Sequence, residues 1–189
     1  MSRITLVRHG PTHQKNFVGW RDVPADLSDT AALARLSAAL PDSAALISSD
    51  LIRAIATADA VATPARQRLP HDPELREFNF GEWDGLSFPE VAERDPHLSR
   101  SFWEQPGDIA PPGGESWNAV TARVSARLDA LARTHDEVIV VAHVGVIMTQ
   151  IGRVLGPEAA LGEHIENLSL TELIYEPDGL ATGRVNHLA

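Results

Sequence analysis

The 189-residue chain contains no cysteine. Disulfides and thiolate–metal centres are excluded, and nothing in the cysteine count points to secretion. Lysine is almost absent too. Lys15 is the only one among 16 cationic side chains, so arginine carries nearly all the positive charge. Long apolar runs are scarce. The longest, residues 138–148, is interrupted by His143 and is too short and too polar to span a bilayer. The N-terminus shows no apolar stretch with a small-residue cleavage site, so a cytoplasmic location is expected. The net charge of −10 argues against nucleic acid and against an anionic membrane as partners. An anionic ligand would need a cationic island on an otherwise acidic surface.

What is present suits one soluble domain over 1–189. Hydrophobic residues make up 43% of the chain, enough for a sizeable core, and charged residues an ordinary 22%. Short apolar runs at 3–7, 44–48 and 138–142 read as strands, with further strands at 67–69, 170–175 and 183–187. Helical spacing or capping residues predict helices over 28–40 (capped by Ser28), 51–62 (capped by Ser49 or Asp50), 116–134 (capped by Ser116) and 146–155. One or two short helices over 88–103 are interrupted by Pro96. Strands alternating with helices imply an α/β fold of three layers, a mainly parallel sheet with helices on both faces. A small helical, lid-like insertion is expected at about 77–115.

Two strands end in a histidine. The run Thr5-Leu6-Val7-Arg8-His9-Gly10 stops at a cation, an imidazole and a glycine that allows a sharp turn, and the 138–142 strand stops at His143. If the two strands are parallel neighbours, both imidazoles project from the same sheet edge, where open α/β folds place ligands. A histidine there can act as base or nucleophile, and the arginine beside it can grip an anion. Arg53 falls in the first turn of a helix, the end that cations normally avoid, which makes sense if an anion sits nearby.

These blocks resemble the histidine phosphatase superfamily, the phosphoglycerate mutase-like proteins. The resemblance rests on five of them, in order. They are Leu6-Val7-Arg8-His9-Gly10, Ser48-Ser49-Asp50-Leu51-Ile52-Arg53-Ala54 with Thr57-Ala58, Leu75-Arg76-Glu77 through Phe80-Gly81-Glu82-Trp83-Asp84-Gly85, Pro112-Gly113-Gly114-Glu115-Ser116, and Val140-Val141-Ala142-His143. It implies that His9 accepts the phosphoryl group, that Arg8, Arg53 and His143 surround it, and that Glu77 protonates the leaving oxygen and then activates water. Glu82 competes with Glu77 for the acid role. Thr12 keeps a hydroxyl position near the phosphate, and Asn16, one residue late against the pattern, is taken as a further substrate contact. His9 is expected unprotonated, because nearby arginines lower its pKa, and His143 protonated as a donor. Pro11 and Val144 depart from the family pattern.

The implied activity is metal-independent hydrolysis of a small phosphorylated metabolite through a phosphohistidine, with no cofactor. α-Ribazole phosphate, a broad range of esters and protein phosphohistidine all remain open as substrates. Two alternatives stand beside it. One is a phosphoglycerate mutase, although only about thirty residues separate the Gly81 region from Gly113, a span that suits the shorter phosphatases. The other is a phosphate-recognising module without turnover, against which the presence of both nucleophile and acid argues.

Overall fold

A computed structural model describes residues 1–189. Six strands form one sheet: β1 (Ser2–Arg8), β2 (Ala44–Ser48), β3 (Arg66–Arg68), β4 (Glu137–Ala142), β5 (Leu170–Glu176) and β6 (Gly179–Thr182). Their spatial order is β3-β2-β4-β1-β5-β6. The β3, β2, β4 and β1 strands run parallel, while β5 pairs antiparallel with β1 and β6 antiparallel with β5. The sheet is therefore mixed and mostly parallel.

Seven helices flank it: α1 (Thr30–Ala39), α2 (Ile52–Ala60), α3 (Phe88–Arg94), α4 (Pro96–Glu104), α5 (Trp117–Ala132), α6 (Val144–Leu155) and α7 (Pro157–Leu161). Alternation along the strands divides the core into two layers. Leu6, Val138, Val140 and Ala142 face a cluster built with α5 and α6, including Val120, Val124, Leu128, Ile147 and Ile151. Val7, Ile139 and Val141 face Leu36, Leu40, Ala54 and Ala58 on the side of α1 and α2. Side chains with a period of two on a sheet buried on both faces give this three-layer arrangement. No helix is long and apolar enough to cross a membrane.

Several expected boundaries move. Asp29, not Ser28, caps α1, its carboxylate accepting from Ala32 N at 2.9 Å. Neither Ser49 nor Asp50 caps α2. Leu51 holds that position, and Asp22 from the preceding loop accepts from Ile52 N at 2.7 Å. Ser116 caps α5 as expected. The last strand is not 183–187 but 179–182, because a two-residue turn at Pro177 and Asp178, leading into Gly179 (φ +149), folds the chain straight back on β5. Residues 183–187 continue along β5 without forming a strand, held by backbone hydrogen bonds between Glu172 and Gly183 and Arg184 and by the bridge between Leu170 and His187. The short α7 was not expected. Gly156 (φ +90) breaks α6, and Pro157 starts a new helix.

Candidate active site

Register places the two histidines together. Arg8 pairs with Ala142 across the parallel β1–β4 ladder, so His9 and His143 leave the sheet side by side. Their ring centroids are 5.1 Å apart, and both residues are buried. Gly10 has no unusual φ but packs closely on the 25–27 segment, where a Cβ would lie 2.5 Å from Leu27 Cδ2 and 3.3 Å from Asp26 O. Its N–H donates to Thr57 Oγ1 at 3.0 Å, and Thr57 in turn donates to Arg53 O, which ties the turn after the histidine to α2.

The protonation of His9 is set by its neighbours. Nδ1–H donates to Gly10 O at 2.7 Å, which leaves Nε2 with the lone pair, and Arg53 Nε donates to that nitrogen at 3.3 Å. Burial, then the charges of Arg53 and Arg8, push the His9 pKa down to about 3 against the opposing Gly10 hydrogen bond. The ring is thus neutral near neutral pH, with an unprotonated Nε2 of the kind a nucleophile needs. Arg53, 1% exposed, is held by Gly19 O at 2.7 Å and Arg21 O at 2.9 Å, so the 11–27 loop closes against it. Arg8 Nη1 donates to Ile165 O, but its Nε is buried with no partner.

His143 corrects one expectation. It was read as a protonated donor, but complete burial, then the charge of Arg53, holds its pKa well below the ordinary histidine range. It is neutral. Ser49 Oγ lies 2.7 Å from His143 Nε2, and His143 Nδ1 is buried without a partner. If the hydroxyl donates to Nε2, Nδ1 carries the proton, and a neutral ring still presents an N–H to the site.

Glu77 is 3% exposed. Its Oε1 accepts from Phe78 N at 2.9 Å and its Oε2 from Gly145 N at 3.2 Å. Burial nevertheless raises its pKa, outweighing those bonds and the charges of Arg53 and Arg8. Its carbonyl accepts from Trp20 Nε1 at 2.8 Å and Arg123 Nη2 at 3.0 Å. Glu82 is exposed and paired with Arg94. It lacks the buried setting that shifts Glu77. Thr12 is half-buried at the start of the loop. Asn16 goes elsewhere. It is exposed, its amide donates to Gly85 O at 2.8 Å, and its backbone bridges to Ser87. The widest surface hollow, about 710 Å³ around Asp129, Arg153 and Tyr175, includes none of these residues.

Three supporting residues escaped the sequence reading. Ser49 reads in the sequence as a helix cap. Arg123, which also pairs with Glu115, sits within an ordinary helical pattern. Asn167, donating to His9 O at 2.8 Å, lies in a loop with no motif to mark it.

A strand-edge histidine pair, the buried Arg53, the half-buried Arg8 and a buried carboxyl thus gather at one edge of an α/β sheet. Residues 4–187 match the family model of the histidine phosphatase superfamily (branch 1), and the chain belongs to that family. It is 34% identical to the bifunctional protein Rv2228c of Mycobacterium tuberculosis over 97% of this chain and 53% of that protein. It thus spans about half the length of that relative. It is also 33% identical to a metal-independent phosphoserine phosphatase of Arabidopsis thaliana, covering 78% of this chain and 66% of that one. The solved structure of Bacillus stearothermophilus YhfR superposes with a TM-score of 0.87 at 25% identity, covering 100% of this chain and 98% of that one.

Proposed function

We propose that the protein is a metal-independent phosphomonoesterase acting on a small phosphorylated metabolite through a phosphohistidine on His9. The observation that carries this reading is a pair of buried, unpartnered nitrogens, Arg8 Nε and His143 Nδ1, beside a ring whose Nε2 bears no proton. Unsatisfied buried donors cost roughly 1–3 kcal/mol each. Equatorial phosphoryl oxygens would satisfy both.

The steps follow from the donors. The His9 Nε2 lone pair attacks phosphorus, the bond to the leaving oxygen breaks, and protonated Glu77 gives its proton to that oxygen. The raised Glu77 pKa suits it to hold this proton. Arg8, Arg53 and the His143 N–H stabilise the charge that spreads over the equatorial oxygens. Ionised Glu77 then takes a proton from water as the water attacks phosphorus, the P–N bond breaks, and inorganic phosphate leaves. Two guanidinium groups make a poor setting for a cation, and no cluster of three His, Asp or Glu side chains converges on this or any other point. The Arabidopsis relative's name supports the reaction class without fixing the substrate.

Purified protein should hydrolyse p-nitrophenyl phosphate in the presence of EDTA. Abolition by the chelator would remove the metal-free part of the reading. Rapid-quench labelling should show an acid-labile, base-stable phosphoenzyme that disappears in His9→Ala, and its persistence would move the nucleophile elsewhere.

A further inference from the structure

Beside Glu77 lies a cavity of about 70 Å³ whose walls are almost wholly apolar. Phe80, Trp103 on α4, and Val144 and Met148 on α6 form much of it, and Glu77 is the only ionisable residue that lines it. Trp103 is 39% exposed, and Val144 and Met148 are half-buried, so the cavity meets solvent between α4 and α6. Gly145 makes room for the acid, because a Cβ there would lie 2.3 Å from Glu77 Oε1 and 2.4 Å from the Phe78 ring. Val144 fills the next position with an isopropyl group at the start of α6, immediately after His143.

Given the phosphatase reading above, the ester oxygen must reach Glu77 to be protonated. The carbon bound to that oxygen then stands at this cavity. A hydroxyl or carboxylate placed among these rings would lose its water and find no donor or acceptor except the acid itself. An apolar group would find contact on every side. The volume is about half that of a cavity that takes benzene, which limits the occupant to a compact group.

We propose that this cavity is a leaving-group subsite, selecting phosphate monoesters of alcohols that bear a compact, branched apolar group of three or four carbons next to the ester carbon. Polyol and amino-acid phosphates are correspondingly disfavoured. Isobutyl phosphate should exceed glycerol 1-phosphate in kcat/KM by about tenfold or more, the scale of discrimination an apolar pocket supplies.

The test separates binding from turnover. The chain has two methionines, Met148 in the cavity wall and Met1 at the surface, 83% exposed. Protein labelled with ¹³C-methyl methionine is titrated with 3-methylbutylphosphonate and, separately, with 3,4-dihydroxybutylphosphonate, neither of which can be hydrolysed. The expected result is a shift of the Met148 methyl signal with the branched ligand, a still Met1 signal, and affinity about tenfold tighter than for the diol. In Met148→Gln the preference should fall to about twofold. Should that variant fail to fold, the wild-type titration decides alone. Equal affinities, or saturation with an unmoved Met148 signal, overturn the subsite while turnover of p-nitrophenyl phosphate leaves the phosphatase reading intact. Binding of neither phosphonate, with no turnover of any ester, overturns both.

Discussion

The Ser49 hydroxyl sits 2.7 Å from His143 Nε2, and both residues are fully buried. The same hydroxyl accepts from Leu51 N at 3.4 Å but does not cap α2, which has no side-chain cap of its own. A buried neutral imidazole takes the tautomer its partners dictate. A hydroxyl donating to Nε2 puts the proton on Nδ1, the nitrogen with no protein partner. Ser49→Ala should release this choice. The ¹⁵N spectrum of His143 should change from the Nδ1–H pattern to a mixture, and kcat should fall by about tenfold or more, below the ~10²–10³ lost when an oxyanion donor itself is deleted. An unchanged ¹⁵N pattern would mean that Ser49 does not set the tautomer.

The two candidate acids are separated by environment. Glu77 is buried with a raised pKa, whereas Glu82 faces solvent beside Arg94. The raised pKa suits Glu77 to carry a proton to the leaving oxygen. Glu77→Gln should slow hydrolysis of an alkyl phosphate by roughly 10²–10⁴. The loss should be smaller with p-nitrophenyl phosphate, whose leaving group needs little protonation. Glu82→Gln should stay within about twofold on both. A larger loss in Glu82→Gln would reassign the acid.

The site was more legible in the sequence than the sheet's edge. Strands ending at Arg8-His9 and at His143 are marked by apolar runs that stop at polar residues, and parallel pairing in register then forces the two rings together. Pairing direction at the other end carries no such mark. Residues 170–175 read as a strand, but nothing local states that it runs antiparallel to β1. The displaced β6 was missed because Gly179 permits a tight reversal that the apolar pattern does not announce. Protonation of His143 was misjudged because burial depends on all three layers closing over it, whereas its neighbouring charges could be guessed from motifs. Asn16 was aligned by motif alone, and its side chain is spent on Gly85 O instead.

Gly145 should be nearly irreplaceable. Its N–H holds Glu77 Oε2, and a methyl group would overlap Oε1 and the Phe78 ring. Alanine ordinarily favours a helix over glycine by about 1 kcal/mol. Here overpacking, typically ~1–3 kcal/mol, opposes that gain. Gly145→Ala should therefore show a lower urea midpoint, and its kcat should fall more than its KM rises, because the acid is displaced rather than the phosphate site. Wild-type kcat in the alanine variant would show that the carboxyl has room to move.

The depressed pKa of His9 makes stability depend on pH, with a definite sign. The native ring titrates at about 3, against 6.5 in the unfolded chain. Between those values the unfolded state takes up a proton that the native state refuses, so stability falls as pH drops below 6.5, by about 1.4 kcal/mol per unit for this one ring. Glu77 acts oppositely, because its raised pKa takes stability away as pH rises above 4.5. That contribution is shared by wild type and a His9 variant and cancels in their difference. His9→Asn should therefore lose less stability than wild type between pH 6.5 and 4.5, by about 2 kcal/mol in urea unfolding. Parallel curves for the two proteins would show that His9 titrates in the folded chain much as it does in the unfolded one, and a neutral, buried nucleophile would no longer describe it.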